Sequence, residues 1–318
     1  MAFIFARYAL TLYAPFDTIF PIYAAAAVIV LTVINIIGVK EGKWTQNLLT
    51  VIKTAGLLAI IAIGLFASVE PPVPSVTPDI TIGGLKLALI LVLFAFGGWN
   101  EMAYVAAEVK KPNRNIVRTL VIGTVLVTVL YIKAIAVDTM ATVFPEMAAR
   151  AISILICISA LGAINGLIFT GARISYAMGA EHPSFRGLGT WSPRFGTPIW
   201  ALIVQGCLSL AIVLFVGSFI DTILYTAPVV WLFFLATGLS VFVLRHKDPQ
   251  TPRPYKVSGF PVPAIVFCTC CVFMLYSSVS YALAVKPIGF ITVTCVVLAG
   301  IVVYRLTEVR QKPKTLRR

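Results

Sequence analysis

Of 318 residues, 59% are hydrophobic and only 12% charged, with a mean hydropathy of +0.97. A water-soluble domain of this length cannot hide so much apolar side chain, so composition excludes a soluble globular protein and sets a polytopic membrane protein in its place. The formal net charge of +13 falls mostly between and after the apolar runs, where it speaks to membrane orientation; nucleic acid is not an expected partner.

A helix needs about 20 apolar residues to cross a hydrocarbon core of about 30 Å. Nine runs meet that requirement in chain order: 20–39, 46–69, 82–107, 118–137, 151–178, 197–216, 222–244, 260–285 and 287–304. A closed barrel would instead show segments of about ten residues with alternating polarity. These runs do not alternate, and the predicted fold is all-α. The opening MAFIFARYALTLYAP reads as the last turns of a helix whose start is missing rather than as a signal peptide, so an incomplete chain is expected.

Loop charges predict the orientation, because Lys and Arg in short loops stay cytoplasmic. Lys40 and Lys43 sit in one connection, Lys110, Lys111 and Arg114 in a second, Arg186 and Arg194 in a third, and Arg245, Lys247, Arg253 and Lys256 in a fourth. The connections between these carry Glu70 and Asp79, then Asp138, Glu146 and Arg150, then Asp221, then Lys286. Basic and non-basic loops alternate along the chain. The tail after Tyr304 is basic, which predicts a cytoplasmic C-terminus facing anionic lipid and, with an odd number of spans, an external N-terminus.

The stretch FAFGGWNEMAYVAAEVKKPNRN, Phe94 to Asn115, interrupts its apolar run with two glycines, an asparagine and a glutamate. If Ile82 lies at the outer surface, Gly97 is about fifteen residues further, roughly 22 Å deep. Adjacent glycines lower the cost of leaving helical backbone angles. Backbone opened at that depth must line a polar, protein-enclosed cavity, since lipid satisfies neither amides nor carbonyls. A discontinuous helix at a binding site is a device of secondary transporters; the bland alternative is that Gly97 and Gly98 only admit a neighbouring helix. Asn100 and Glu101 favour the first reading, because polar groups at midplane need partners and mark pathways.

Among other polar residues, Lys53 lies about seven residues inside its span, roughly 10 Å from the cytoplasmic end, where a snorkelling side chain still reaches the interface. Arg173, Glu108 and Arg114 lie toward the cytoplasmic end, as an ion-pair gate or as a solvated structural pair. The six cysteines, Cys157, Cys207, Cys268, Cys270, Cys271 and Cys295, all fall inside spans and read as small apolar filler. The two histidines, His182 and His246, lie in basic connections, and there is no HExxH, no paired-Asp motif and no phosphate-cradling loop. No nucleophile or ligand cluster gathers at one depth, so neither an enzyme, a bound metal nor a cofactor is expected.

FAFGGWNEMAYVAAEVKKPNRNI resembles the sixth-helix signature of permeases in the amino acid, polyamine and organocation superfamily, especially the L-type amino acid transporter branch. INIIGVKEGKWTQNLLTVIKTAGLLAI resembles the end of that family's fourth helix and the start of its fifth, LGAINGLIFTGARISYAM its eighth, RFGTPIWAL the opening of its ninth, and LRHKDPQTPRPYKVSGFPVPAI its connection from tenth to eleventh. The resemblance implies a LeuT-like five-plus-five inverted-repeat transporter fold with two further helices. On that map residues 1–318 form one permease domain: 1–12 the tail of helix three, 20–69 helices four and five, 82–244 helices six to ten, 260–305 helices eleven and twelve, and 306–318 a basic cytoplasmic tail. Helix one, whose break holds the substrate carboxylate in the family, is then absent.

The resemblance further implies site residues. Phe94, Ala95, Phe96 and Gly97 match the unwound part of helix six, where carbonyls accept the substrate ammonium and an aromatic ring, here Phe94, closes over it; the alternative for Phe94 is core packing. Gly98 and Trp99 extend that segment. Asn100 bonds across the cavity, or caps the second half-helix, or does both. Lys53 stands where sodium-coupled relatives hold a cation, with Ser159 assigned to the same coupling site, which implies sodium independence and leaves proton coupling and uncoupled exchange both open. Leu161 and Asn165 fall near the substrate side chain; the alternative for Asn165 is an interhelical hydrogen bond. The expected function is transport of amino acids, neutral ones favoured, across the cell membrane, with the amino acid and the lipid bilayer as partners. The alternatives are a non-transporting permease remnant and a permease for cationic amino acids or polyamines.

Overall fold

The computed structural model describes residues 1–13, 20–66, 81–95, 98, 101, 109, 112–134, 145–251, 257 and 259–308. Every regular segment among them is helical apart from one isolated antiparallel bridge between Ser192 and Thr197. The described helices are α1 Ala2–Tyr13, α2 Phe20–Ile37, α3 Val39–Phe66, α4 Ile82–Ala95, α5 Pro112–Ala134, α6 Pro145–Glu181, α7 Ile199–Val216, α8 Phe219–Lys247, α9 Val262–Val285 and α10 Pro287–Glu308. Six of them, α2 and α6 to α10, are long and apolar enough to cross a membrane. They coincide with six of the nine expected runs; the other three correspond to α3, α4 and α5.

Several boundaries differ from expectation, among them that of α6, which starts at Pro145 rather than near residue 151. α3 begins at Val39 rather than near residue 46, so Lys40 and Lys43 belong to the first turns of a helix and not to a loop. Gly38 alone separates α2 from α3. It works there because it has no side chain: a Cβ at Gly38 would meet the Glu41 carboxylate at 2.1 Å. That places the acid over the amino end of its own helix, where negative charge is favoured. α5 likewise starts six residues earlier than expected, at Pro112, a residue pre-organised for a first helical position. Arg114, expected in the connection, thus belongs to the first turn of a helix.

The chain gathers into two compact units, one formed by residues 1–77 and 96–219, the other by 78–95 and 220–318. In the first, α6 is the central element. Its 37 residues extend about 55 Å at 1.5 Å per residue, well beyond the hydrocarbon core. Ile164, Ile168 and Ala172 of α6 pack with Ala27 and Leu31 of α2 and with Ala201 and Leu202 of α7. A second cluster joins Phe3 and Ala6 of α1, Ala24 of α2 and Val213 of α7, with the Phe3 and Phe20 rings stacked at 6.0 Å. Five of these eleven residues are alanines, which suits a bilayer, where lipid tails are as apolar as leucine and helices associate by close approach. Gly206 shows the principle, since a Cβ there would reach Thr32 Cγ2 at 3.1 Å.

In the second unit α4 and α10 each pack on α9. Lys86 of α4 donates to Ser280 Oγ of α9 at 2.9 Å and lies 5.6 Å from the Tyr276 ring centroid. α8 meets α9 where Gly238 faces Phe267 and Cys268, and meets α10 where Tyr225 lies over Gly289. α8 keeps its course through Pro228. The outward faces of both units carry large apolar side chains, among them Phe215, Ile288 and Val296, the composition that a lipid-facing surface requires.

Candidate functional site

The expected interruption of the third run lies between α4 and α5. α4 ends at Ala95, and Gly98 adopts a φ of +94° in a turn whose Glu101 amide donates to the Gly98 carbonyl at 3.1 Å. Positive φ is cheap for glycine and costly for other residues, so the second glycine of the pair is a conformational requirement. The division between the two compact units passes between Ala95 and Phe96. Phe94 and Ala95 form the last turn of α4; Phe96, Gly97, Trp99 and Asn100 lie outside the described residues.

Glu101 is half-buried and tied to α6, where the Thr170 hydroxyl lies 3.2 Å from its Oε2. The same hydroxyl lies 2.9 Å from the Gly166 carbonyl, and its single proton serves one acceptor at a time. One turn below Thr170 the chain builds a buried polar network. Asn165, with no exposed surface, accepts from Asn35 Nδ2 at 2.7 Å and donates to the Gly42 carbonyl at 3.1 Å and Gln46 Oε1 at 2.9 Å. Asn35, itself 2% exposed, also donates to the Leu31 carbonyl at 2.8 Å. Both amide protons and the carbonyl oxygen of Asn165 therefore have partners on α2 and α3. This is the interhelical bond that stood as the alternative reading of that residue.

Asn35 did not figure among the sequence candidates. Its signal is a lone asparagine in the otherwise apolar run of α2, followed seven residues later by Gly42. A Cβ on Gly42 would lie 2.5 Å from Asn35 Oδ1, so the glycine leaves room for the amide.

Of the other candidates, Leu161 is half-buried against the α2–α6–α7 core and Ser159 is half-buried on α6. Lys53 has an exposed side chain on α3, which packs on α6 with Gly56 facing Leu155. Arg173 is 8% exposed; its Nη1 donates to the Phe169 carbonyl and its guanidinium lies 3.5 Å from the Phe169 ring centroid. Phe169 and Arg173 line a cavity of about 10 Å³ together with Asn35 and Thr197, room for one water. Glu108 and the side chain of Arg114 lie outside the described residues. Among the described residues no group of three His, Cys, Asp or Glu side chains is placed to hold a metal ion.

A family model described as amino acid permease matches residues 1–141 and 135–303. The chain is 31% identical to the b(0,+)-type amino acid transporter 1 of Mus musculus, covering 76% of this chain and 54% of that protein. It is 31% identical to the large neutral amino acids transporter small subunit 2 of Mus musculus, covering 94% and 61%. It is 29% identical to the serine/threonine exchanger SteT of Bacillus subtilis, covering 76% and 59%. The chain thus spans about half the length of the curated relatives it matches. By the extent of the family match and the apolar helices that carry it, this chain is an all-α, multi-pass membrane protein of the amino acid permease family.

Proposed function

We propose that the protein moves amino acids across the cytoplasmic membrane by alternating access, as a secondary transporter and not as an enzyme. The observation that carries the reading is at the end of α4, which closes at Ala95, with Gly98 three residues on at a φ of +94°. Main-chain carbonyls released by such a break are acceptors for an ammonium group, and Phe94 to Gly98, with Trp99 and Asn100, are the residues that would hold and cover it. Family membership and relatives whose names specify amino acid transport support the same reading. The loop charges support a cytoplasmic C-terminus.

Neutral amino acids are the favoured substrates. A cationic side chain would want an acid in the pocket, and the nearby Glu101 lies against Thr170 of α6. Lys53 and Ser159 are proposed at the coupling site, with Leu161 and Asn165 toward the substrate side chain. A lysine standing in for a cation makes transport independent of sodium and leaves exchange and proton coupling as its two modes.

Uptake and counter-flow of a panel of labelled amino acids into proteoliposomes, with and without sodium and across pH, tests the proposal. Neutral substrates moving without sodium, with uptake lost in Gly97→Phe while the protein still inserts, is the expected result. Unchanged uptake by Gly97→Phe overturns the binding site, and a sodium requirement overturns the role of Lys53. The coverage of about half of each relative favours one second reading, a scaffold that does not transport by itself; absence of uptake for every substrate by the folded, inserted chain would establish it.

A further inference from the structure

We infer that the junction between α2 and α3 is a binding site for one anionic phospholipid, its headgroup held by Lys40 and Lys43 and its upper acyl chain lying along Ile34, Ile37 and Trp44. The junction carries an open groove of about 500 Å³ lined by Ile34, Ile37, Lys40, Glu41, Trp44 and Thr45. Its depth in the membrane follows from α2, an uncharged span of 18 residues that extends about 27 Å, close to the hydrocarbon thickness. When α2 spans the core, the residues just past Ile37 lie at headgroup level and Ile34 and Ile37 lie at the top of the acyl region.

The polarity of the groove changes at that level. Ile37 is 52% exposed and Trp44 is 66% exposed. An indole at this depth, apolar in its body and polar at its N–H, belongs to the interfacial belt. On α3, Lys43 lies three positions and Trp44 four positions from Lys40, so each is a surface neighbour of Lys40; Lys40 and Trp44 line the groove and Lys43 stands beside Lys40. Both lysines are exposed, and neither has an ion-pair partner among the described residues. The one acid of the groove does not neutralise them, because the Glu41 carboxylate turns back over Gly38 at the amino end of α3. What remains is a pair of ammonium groups above an apolar trough, complementary to a phosphate above an acyl chain. A zwitterionic headgroup satisfies the trough and leaves the charge uncompensated; an anionic one satisfies both. Lysines near a membrane surface each favour anionic lipid by about fivefold.

Trp44 reports on its own groove. The 318-residue chain, with Trp44→Phe as the subtraction control for the other four tryptophans, is reconstituted in vesicles doped with brominated phosphatidylglycerol or brominated phosphatidylcholine. The Trp44 component is expected to be quenched at about 25-fold lower mole fraction by the anionic lipid, about fivefold for each of the two lysines, with the preference shrinking in 0.5 M salt as charges are screened. The double variant Lys40→Gln/Lys43→Gln should bring the anionic lipid to the phosphatidylcholine curve, whose persistence shows that the variant is still inserted. Equal quenching by both lipids in the parent chain overturns the proposal, as does a preference that survives the double variant. Failure of either lipid to quench Trp44 also overturns it, since protein would then cover the groove.

Discussion

The amide of Asn35 on α2 donates to the amide oxygen of Asn165 on α6 at 2.7 Å, and Asn165 passes its own two protons to α3 at Gly42 and Gln46. Three helices meet at one buried side chain. Two magnitudes compete for its worth: an interhelical hydrogen bond in a bilayer contributes about 0.6 kcal/mol, whereas a buried polar group left without a partner costs about 1–3 kcal/mol. Removing Asn165 leaves one amide proton of buried Asn35 without its acceptor and Gln46 Oε1 without its donor, so the second magnitude decides. Asn165→Ala is expected to lower stability by about 2 kcal/mol, read as a drop in thermal midpoint in detergent. A loss below about 0.5 kcal/mol would show that water replaces the lost partner.

Gly42 tests the same network from its other side. A Cβ there would stand 2.5 Å from Asn35 Oδ1 and 3.2 Å from its Cγ, so Gly42→Val must push the Asn35 amide off Asn165. Because both substitutions break one set of bonds, the double variant Gly42→Val/Asn165→Ala should lose clearly less stability than the sum of the singles, with a coupling of about 1 kcal/mol. Strict additivity in a double-mutant cycle would place the two residues in separate environments.

At the α4 break the backbone, not crowding, restricts the sequence. Among the described residues nothing lies within 4 Å of a Cβ built on Gly98, yet its φ of +94° is one that side chains rarely adopt. Gly98→Val is therefore expected to cost about 1–3 kcal/mol locally and to reduce uptake at least tenfold, while Gly98→Asn, a residue that tolerates positive φ better, should retain more. Equal activity of the two variants in proteoliposomes would refute the requirement.

The second unit offers a steric test. A Cβ on Gly289 of α10 would fall 1.9 Å from Tyr225 Cε1 of α8, too close without moving the ring. Gly289→Ala should destabilise by about 1–3 kcal/mol through overpacking, and Tyr225→Ala should restore most of that loss when the two are combined. The nearby ion pair of Lys286 and Asp221, 3.4 Å apart with Lys286 half exposed, should matter far less, and Lys286→Ala is expected to change stability by under about 1 kcal/mol.

Much of this architecture was legible because the bilayer imposes a length and an apolar composition on each span. The runs 197–216, 260–285 and 287–304 became α7, α9 and α10 nearly end for end. The break was legible for a related reason: a Gly-Gly pair followed by Asn and Glu has no use in an uninterrupted lipid-facing helix. Helix ends near charge were not, since Lys40, Lys43 and Arg114 look like loop when a reader counts only apolar residues, yet each continues a helix past the hydrocarbon. The buried network was half legible. Asn165 stood out on α6, but its partners Asn35, Gly42 and Gln46 lie 119 to 130 residues away, and a single sequence does not say which polar side chains meet across helices. The exposed position of Lys53 was equally hidden, because depth along a span says nothing of which way around the helix a side chain points.

The junction at Gly38 leaves no slack between two long rods. Consecutive Cα atoms are about 3.8 Å apart, so the amino end of α3 cannot drift from the carboxyl end of α2, and the Asn35–Asn165–Gly42 bridge fastens the same pair about one turn to either side. A tilt imposed on α2 must then travel through this elbow into α3, as force passes along a bell crank. Lengthening the joint by two or three flexible residues would uncouple the arms without touching a buried side chain.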